Sequence, residues 1–331
     1  MRIAVIGAGS WGSALAHLLA NNGHGVRLWA LEKEIVDGIN SNHKNPVYLS
    51  SVELDEKIVA TNSFEDAFEK ADMCVMVTPS QFLRSTAEKF KDNVKEDLPI
   101  VICSKGAEYD TGMLASEVLT DVLGNSGRIA VLSGPTHAEE VIKQIPSAAT
   151  CACENIELAN FIRNAFSCSY FRVYTSTDVL GVEMCATFKN VIAIAVGLSY
   201  GLGFGDNTAA LMITRGVAEM SRMVESAGGS AQTCQGLAGI GDMVVTCMSR
   251  HSRNRRFGQD YLSVGKTLDD FKEDTSMVVE GAVAAQNLQT LADKYDVELP
   301  ITNVINDIIW NGADVEESVT LLASRPLKEE F

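Results

Sequence analysis

The N-terminal stretch "MRIAVIGAGSWGSALAHLLANNG" constrains the fold more than any other part of the chain. "RIAVIGAG" is a continuous apolar run ending in glycines, the pattern of a strand buried on both faces. "SWGSALAHLLANNG" then places Trp11, Leu15, Leu18 and Leu19 at helical spacing, with Gly23 as a C-terminal stop. Between strand and helix lies G-x-G-x-x-G, made of Gly7, Gly9 and Gly12. Alone this spacing is a weak signal, but a strand before it and a helix after it meet the conditions for a dinucleotide fingerprint. Gly7 permits a tight turn, Gly9 lets backbone approach a pyrophosphate, and Gly12 lets the helix pack on the strand. The helix N-terminus adds free N–H groups and a positive dipole end.

The theme repeats. "GVRLWA", "ADMCVMVTP", "LPIVICSKG" and "GRIAVLSGP" are short strand-like runs, most of them closed by Pro, Gly or Ser and separated by helical patterns. Such alternation implies an α/β fold with a doubly wound, Rossmann-type parallel sheet. After about residue 180 the pattern becomes helical. "LGVEMCATFKNVIAIAVGLSYG" and "DNTAALMITRGVAEMSRMVESAGG" read as long helices, the second capped by Asp206 or Asn207 and ending before Gly228. Three more helical patterns follow. The expected division is a dinucleotide-binding domain over 1–180 and a mostly α-helical, substrate-binding domain over 181–331.

Composition sets limits on partners. At 331 residues, 46% hydrophobic and 21% charged, the chain is an ordinary globular sequence long enough for two domains. A formal charge of −16 argues against nucleic acid and against anionic membrane surfaces. The glycines break the N-terminal apolar run, which lacks a signal-peptide cleavage site. "VIAIAVGLSYGLGFG" reads as too short and too glycine-rich to span a bilayer, so a cytoplasmic setting without membrane insertion is expected. The eight cysteines sit mostly in apolar contexts, and Cys151 with Cys153 lacks a zinc spacing. Reduced core thiols and no metal are the expectation.

Several residue types in these contexts can carry chemistry. Glu32 lies twenty positions after Gly12, where an acid can hold a ribose 2′-hydroxyl, although a solvated surface Glu is common there. Lys105 follows a strand end, where ligands of α/β sheets collect. Gly134, Thr136 and Ala138, in "LSGPTHAEEV", can bring backbone N–H groups to a ligand. Lys189 stands within an apolar helix; it is either a snorkelling side chain or a usable acid–base group. Arg250, Arg253, Arg255 and Arg256 crowd into seven residues not far from a lone acid, Asp242. That cluster lacks the aromatic platform that single-stranded nucleic acid needs.

The sequence resembles the bacterial-type NAD(P)-dependent glycerol-3-phosphate dehydrogenases. The motifs that carry the resemblance are "GAGSWG", "SKG", "SGPTHAEEV", "ATFKNVIAIAVGL", "GLGFGDNTAALMITRGVAEM", "GLAGIGDMVVTCMSRHSRNRRFG" and "VVEGAVAA". They cover nearly the whole chain. The resemblance implies that Ser10, Trp11, Ala138, Val278 and Glu280 meet the cofactor, NAD or NADP. It implies that Lys105 meets cofactor and substrate, and that Gly134, Thr136, Asp242, Ser252, Arg253 and Asn254 meet the substrate, Arg253 also lying near the cofactor. Lys189 corresponds to the proton donor and acceptor. The implied reaction interconverts sn-glycerol 3-phosphate and dihydroxyacetone phosphate, supplying glycerol phosphate for phospholipids.

Charge accounts for the arginine. A small phosphorylated substrate is repelled by an acidic protein overall, so a local cation must overcome that field. Arg253 can offer fork-shaped, charge-assisted bonds to phosphate, with Ser252 and Asn254 as neutral donors. Arg250, Arg255 and Arg256 read as a solvated or salt-bridged face. Lys105 can steady a developing alkoxide and Asp242 can orient Lys189. Glu32 favours NADH over NADPH, with Lys33 as the cation that could offset it. A related two-domain hydroxyacid dehydrogenase and a non-catalytic NAD-sensing protein stay open as alternatives, as does assembly as a homodimer.

Overall fold

The structure is a computed structural model that describes every residue except Asp110, Ser276, Leu327, Lys328 and Phe331, and the side chain of Ala323. The chain forms two compact units. One comprises Met1–Glu108 with Met113–Glu183, the other Tyr109–Gly112 with Met184–Phe331.

The first unit is built on one eight-stranded sheet. Its strands are β1 (Arg2–Ile6), β2 (Gly25–Trp29), β3 (Ile58–Thr61), β4 (Met73–Met76), β5 (Ile100–Ile102), β6 (Ile129–Ser133), β7 (Ser147–Ala152) and β8 (Phe171–Ser176). The spatial order is β3-β2-β1-β4-β5-β6-β7-β8. The first six run parallel in the dinucleotide-fold order, with the switch point between β1 and β4. Helices α1 (Ser10–Asn21), α2 (Lys33–Asn42), α3 (Phe64–Phe68), α4 (Leu83–Phe90), α5 (Ala115–Leu123), α6 (Ala138–Val141) and α7 (Ile156–Phe166) make the connections. Ile3, Val5, Leu15, Leu19, Leu28, Val75, Val101 and Phe166 belong to its buried core.

One feature departs from the expected parallel sheet. β7 runs antiparallel to β6, and β8 is parallel to β7. The link from β6 contains only the four-residue α6, rising about 6 Å, too short to carry the chain back along the strand for a parallel return. β7, "SAATCA", is rich in Ala and Ser and gives little strand signal, and β3 is only four residues long.

The second unit is helical: α8 (Val179–Gly201, which starts in the first unit), α9 (Asp206–Ser226), α10 (Ala231–Cys234), α11 (Asp242–Met248), α12 (Arg253–Asp260), α13 (Leu268–Thr275), α14 (Glu280–Tyr295), α15 (Pro300–Trp310) and α16 (Val315–Ala323). The N-cap of α9 is Gly205 rather than Asp206 or Asn207: its backbone is extended and its carbonyl accepts from Ala209 N at 3.2 Å, while the Asp206 carboxylate accepts from the Tyr200 hydroxyl at 2.9 Å. Helix α8 is 23 residues long with a mean hydropathy of 1.7 over its most apolar window, long enough to cross a bilayer. The apolar run from Val191, too short by itself to span a bilayer, is the second half of this longer helix. Within the protein, 89% of that window is buried. It is a core helix, mostly apolar, that carries the buried polar side chains of Glu183, Thr187, Lys189, Asn190 and Ser199.

Glu183, on α8, is buried within the first unit. Its carboxylate accepts from Ser116 N at 2.9 Å and Ser116 Oγ at 2.5 Å, tying down the first turn of α5. Burial nonetheless pushes its pKa up to about 7. A raised carboxyl pKa makes the folded state favour the protonated form. That contribution is complete below about pH 4.5, and it is lost as pH rises to about 7. The expected loss is roughly 3 kcal/mol. Urea unfolding of wild type and Glu183→Gln between pH 4.5 and 8 checks this: the variant should gain on wild type by that amount as pH rises, and a constant difference would refute it.

Candidate active site

The C-terminal ends of the parallel strands place one group of candidates on a common edge of the first unit. Gly7 follows β1 at φ +113, a left-handed conformation that favours glycine, and its N–H donates to Trp29 O at 3.1 Å. A Cβ at Gly12 would lie 1.8 Å from Gly7 O, so only glycine lets α1 close onto the turn. At Gly9 an added Cβ meets no described atom within 4 Å. Gly9 is also the N-cap of α1 and gives it no side-chain cap, which leaves first-turn N–H groups for an outside acceptor. This cradle fits a dinucleotide pyrophosphate. Ser10 and Trp11, both half-buried, open α1 beside it.

Glu32 ends the turn after β2 as the N-cap of α2 and is exposed. Half-buried Lys105 follows β5, and its Nζ lies 3.5 Å from Gly134 O, just past β6. Thr136 Oγ1 donates to the same carbonyl at 3.2 Å, and Ala138 begins α6. A Cβ at Gly134 would sit 2.8 Å from Ala148 O, so the close run of this segment over β7 also requires glycine. Thr78 and Ser104, not singled out from sequence, join this edge: Thr78 Oγ1 donates to Ile6 O at 3.4 Å, and Ser104 Oγ donates to Thr78 O.

The second unit holds a buried polar cluster. Lys189 does not snorkel; it is 6% exposed in the middle of α8. Its Nζ donates to Asp242 Oδ1 at 2.6 Å and to Thr246 Oγ1 at 3.1 Å. The Asp242 side chain is 2% exposed. Thr246 Oγ1 donates to Asp242 O at 2.6 Å, so one turn of α11 supplies both partners of the ammonium. A π-helical turn over Leu237–Gly241 leads into α11, and Gly239 permits it, since a Cβ there would meet Cys234 O at 2.1 Å. Burial pushes the neighbouring Cys247 thiol up to about 12, against the opposing pull of Lys189, so this sulfur is an inert packing group.

Helix α12 crosses α8 backbone to backbone. A Cβ at Gly197 would lie 2.0 Å from Arg255 O, and one at Gly258 would lie 2.2 Å from Ile194 O. That approach brings Asn254 Nδ2 to 3.0 Å from Asn190 Oδ1, while Asn254 Oδ1 accepts from Gly281 N at 2.9 Å. Ser252 caps α12 by accepting from Arg255 N at 3.2 Å and keeps its own hydroxyl proton to donate. Arg253 is the first residue of α12, exposed, with Nη2 3.5 Å from Glu280 Oε1 at the start of α14. Val278, two residues earlier, is also exposed. The structure thus groups Lys189, Asp242 and Thr246, and separately Arg253 with Glu280. A buried amine held by a carboxylate can move a proton, and an exposed guanidinium at a helix N-terminus can take an anion.

The other arginines divide. Arg250 is exposed and Arg256 lies 3.9 Å from Asp260 one turn on, as a solvated face predicts. Arg255 departs from that expectation: it sits 4.9 Å over the Tyr200 ring and donates to Met248 O at 2.6 Å. Thr246 had a sequence signal, four positions after Asp242 on a helix face. Asn190 had none beyond adjacency to Lys189. None of the eight cysteines is in a disulfide. Among the described residues, no three of His, Cys, Asp and Glu are grouped to hold a metal ion.

Comparison with known proteins fits this geometry. The family models for the N-terminus and C-terminus of NAD-dependent glycerol-3-phosphate dehydrogenase match residues 2–159 and 178–320. The chain is 44% identical over 332 residues to a glycerol-3-phosphate dehydrogenase [NAD(P)+] of Corynebacterium urealyticum, with 100% of both chains covered. A relative of the same name from Chlorobium limicola is 44% identical, covering 100% of this chain and 99% of that one. The crystal structure of glycerol-3-phosphate dehydrogenase from Coxiella burnetii superposes with a TM-score of 0.92 at 35% identity, covering 98% and 99%. The chain belongs to the NAD-dependent glycerol-3-phosphate dehydrogenase family.

Proposed function

We propose that this protein reduces dihydroxyacetone phosphate to sn-glycerol 3-phosphate, and catalyses the reverse, with NAD(P)(H). The observation that carries the reading is the buried Lys189–Asp242 pair at 2.6 Å, in a chain of this family. When bound at the fingerprint turn, the nicotinamide cofactor supplies or accepts the hydride. Lys189 Nζ donates a proton to the oxygen that develops at the substrate carbonyl, and Asp242 and Thr246 aim that N–H. In the reverse direction the neutral amine accepts the hydroxyl proton. On the strength of the resemblance, Lys105 is proposed to help stabilise the developing charge.

Arg253, with the Ser252 hydroxyl and Asn254, is proposed to hold the phosphate. Ser10, Trp11, Ala138, Val278 and Glu280 are proposed cofactor contacts, and Gly134 and Thr136 substrate contacts, on the strength of the resemblance. Eight cysteines without a disulfide support a reducing, cytoplasmic setting, and the product suits phospholipid synthesis. Incubating the protein with NADH and dihydroxyacetone phosphate should consume NADH, and a keto acid in place of the phosphate ester should not. The opposite result would favour the hydroxyacid alternative.

The phosphate role has its own test. Arg253→Ala is expected to raise KM for dihydroxyacetone phosphate roughly 10- to 100-fold, the loss of a charge-assisted bond. Arg256→Ala should change it little, since that side chain is spent on an exposed i,i+4 pair. Steady-state kinetics of both variants decide it; equal effects would reassign the phosphate contact.

A further inference from the structure

We propose that Asn45 is a positioning residue for the cofactor: its buried side-chain amide sets the fingerprint turn in the conformation that receives the dinucleotide. Asn45 lies in the loop after α2 and is 1% exposed. Its Nδ2 donates to Ala8 O at 2.8 Å and to Ser13 Oγ at 2.9 Å. Ala8 stands between Gly7 and Gly9, and Ser13, itself fully buried, lies in the first turn of α1. Ser13 Oγ closes the triangle by donating to Ala8 O at 3.4 Å. Asn45 Oδ1 accepts from Tyr48 N at 2.9 Å and Val47 N at 3.2 Å.

The amide therefore spends both donors on the glycine turn and its carbonyl on its own loop. The turn needs such a tie. Gly7 and Gly9 carry no side chains to fix them, and the N-cap of α1 makes no side-chain bond. Glycines that allow close approach to a pyrophosphate also leave the backbone free to adopt other conformations. A neutral amide suits the task, because it brings no charge beside the bound phosphates. The bonds of Asn45 go to the glycine turn, to α1 and to its own loop, all within the first unit, so its role is in cofactor affinity rather than in the hydride step.

The inference rests on the dinucleotide reading of the fingerprint, and its test separates the two. Asn45→Asp has the same shape and keeps the acceptor for Val47 and Tyr48, but at pH 8 loses both donors to the turn. NADH binding without substrate, followed by nucleotide fluorescence, should weaken about tenfold or more, through the loss of two hydrogen bonds and the gain of a negative charge near the phosphates. With saturating NADH, kcat and KM for dihydroxyacetone phosphate should stay within about twofold of wild type. Burial against Ala8 O raises the pKa of the introduced carboxyl, so lowering the pH to 6 should restore part of the affinity in this variant only, as a protonated Asp can donate to Ala8 O once more. Unchanged NADH affinity would overturn the proposal, as would a fall in kcat matching the loss of affinity. If Asn45→Asp does not fold, Ser13→Ala removes one acceptor of the same amide and should weaken NADH two- to threefold; no change there also overturns it. Wild type failing to bind NADH would overturn the fingerprint reading itself, and this inference with it.

Discussion

Lys189→Ala is expected to lower kcat by about 10²–10⁴-fold while NADH still binds, because general acid–base groups typically contribute that much. Lys189 points its ammonium at Asp242 and Thr246 deep in the second unit, whereas the glycine turn proposed to hold the dinucleotide belongs to the first. The truncation also leaves the Asp242 carboxylate, 2% exposed, without its cation. Breaking a buried pair by removing one partner costs about 3–5 kcal/mol. Loss of activity in the single variant could therefore reflect loss of fold. Lys189→Met combined with Asp242→Asn removes both charges while roughly keeping volume and hydrogen bonding. It should recover most of the thermal stability and none of the turnover. Measuring kcat, NADH affinity and Tm for both variants checks the argument. A double variant retaining more than half of wild-type kcat would sink the role of Lys189, and a single variant as stable as wild type would mean that the pair is not held as a buried ion pair.

What the sequence made legible follows from how local each feature is. The β1 turn and α1 could be read because strand, glycines and helix lie within about twenty consecutive residues, and Gly7 and Gly12 do what the spacing requires. The Lys189–Asp242 contact joins residues 53 positions apart, and no periodicity links them. Their roles came from resemblance, and only the folded chain pairs them. Arg255 was misjudged for the same reason: the ring it covers, Tyr200, lies on a different helix. The antiparallel β7 was hidden by a composition of small residues, and its direction is set by a connection too short to return the chain. Asn45 looked like an ordinary loop residue, since nothing in "NHKNPVYL" shows that its amide reaches back to the fingerprint turn.

Cofactor choice is the other large effect expected, and it turns on Glu32. Relatives carry the name [NAD(P)+], and we propose that this chain prefers NADH. Glu32 is exposed at the end of β2, where the ribose of a dinucleotide on this fold is held, and Leu31 beside it is 71% exposed and offers no charge. Asn62 fixes the backbone there, its Nδ2 donating to Ala30 O at 2.6 Å and Leu31 O at 3.1 Å. Lys33 is the nearest cation in sequence, but its Nζ is bonded to the Asp37 carboxylate at 2.5 and 2.8 Å. Recruiting it for a 2′-phosphate would mean giving up that pair beside Glu32 and Glu34. Two ribose hydroxyls, by contrast, suit a carboxylate acceptor. At one fixed concentration of dihydroxyacetone phosphate, kcat/KM should be higher for NADH than for NADPH. Glu32→Arg should reverse the preference, a combined swing on the order of 10²-fold, since it removes a like charge and adds a charge-assisted bond. Lys33→Ala should leave the ratio within about twofold. A wild-type preference for NADPH that Lys33→Ala abolishes would show that Lys33 leaves Asp37 for the phosphate, and that this lysine, rather than Glu32, sets the choice.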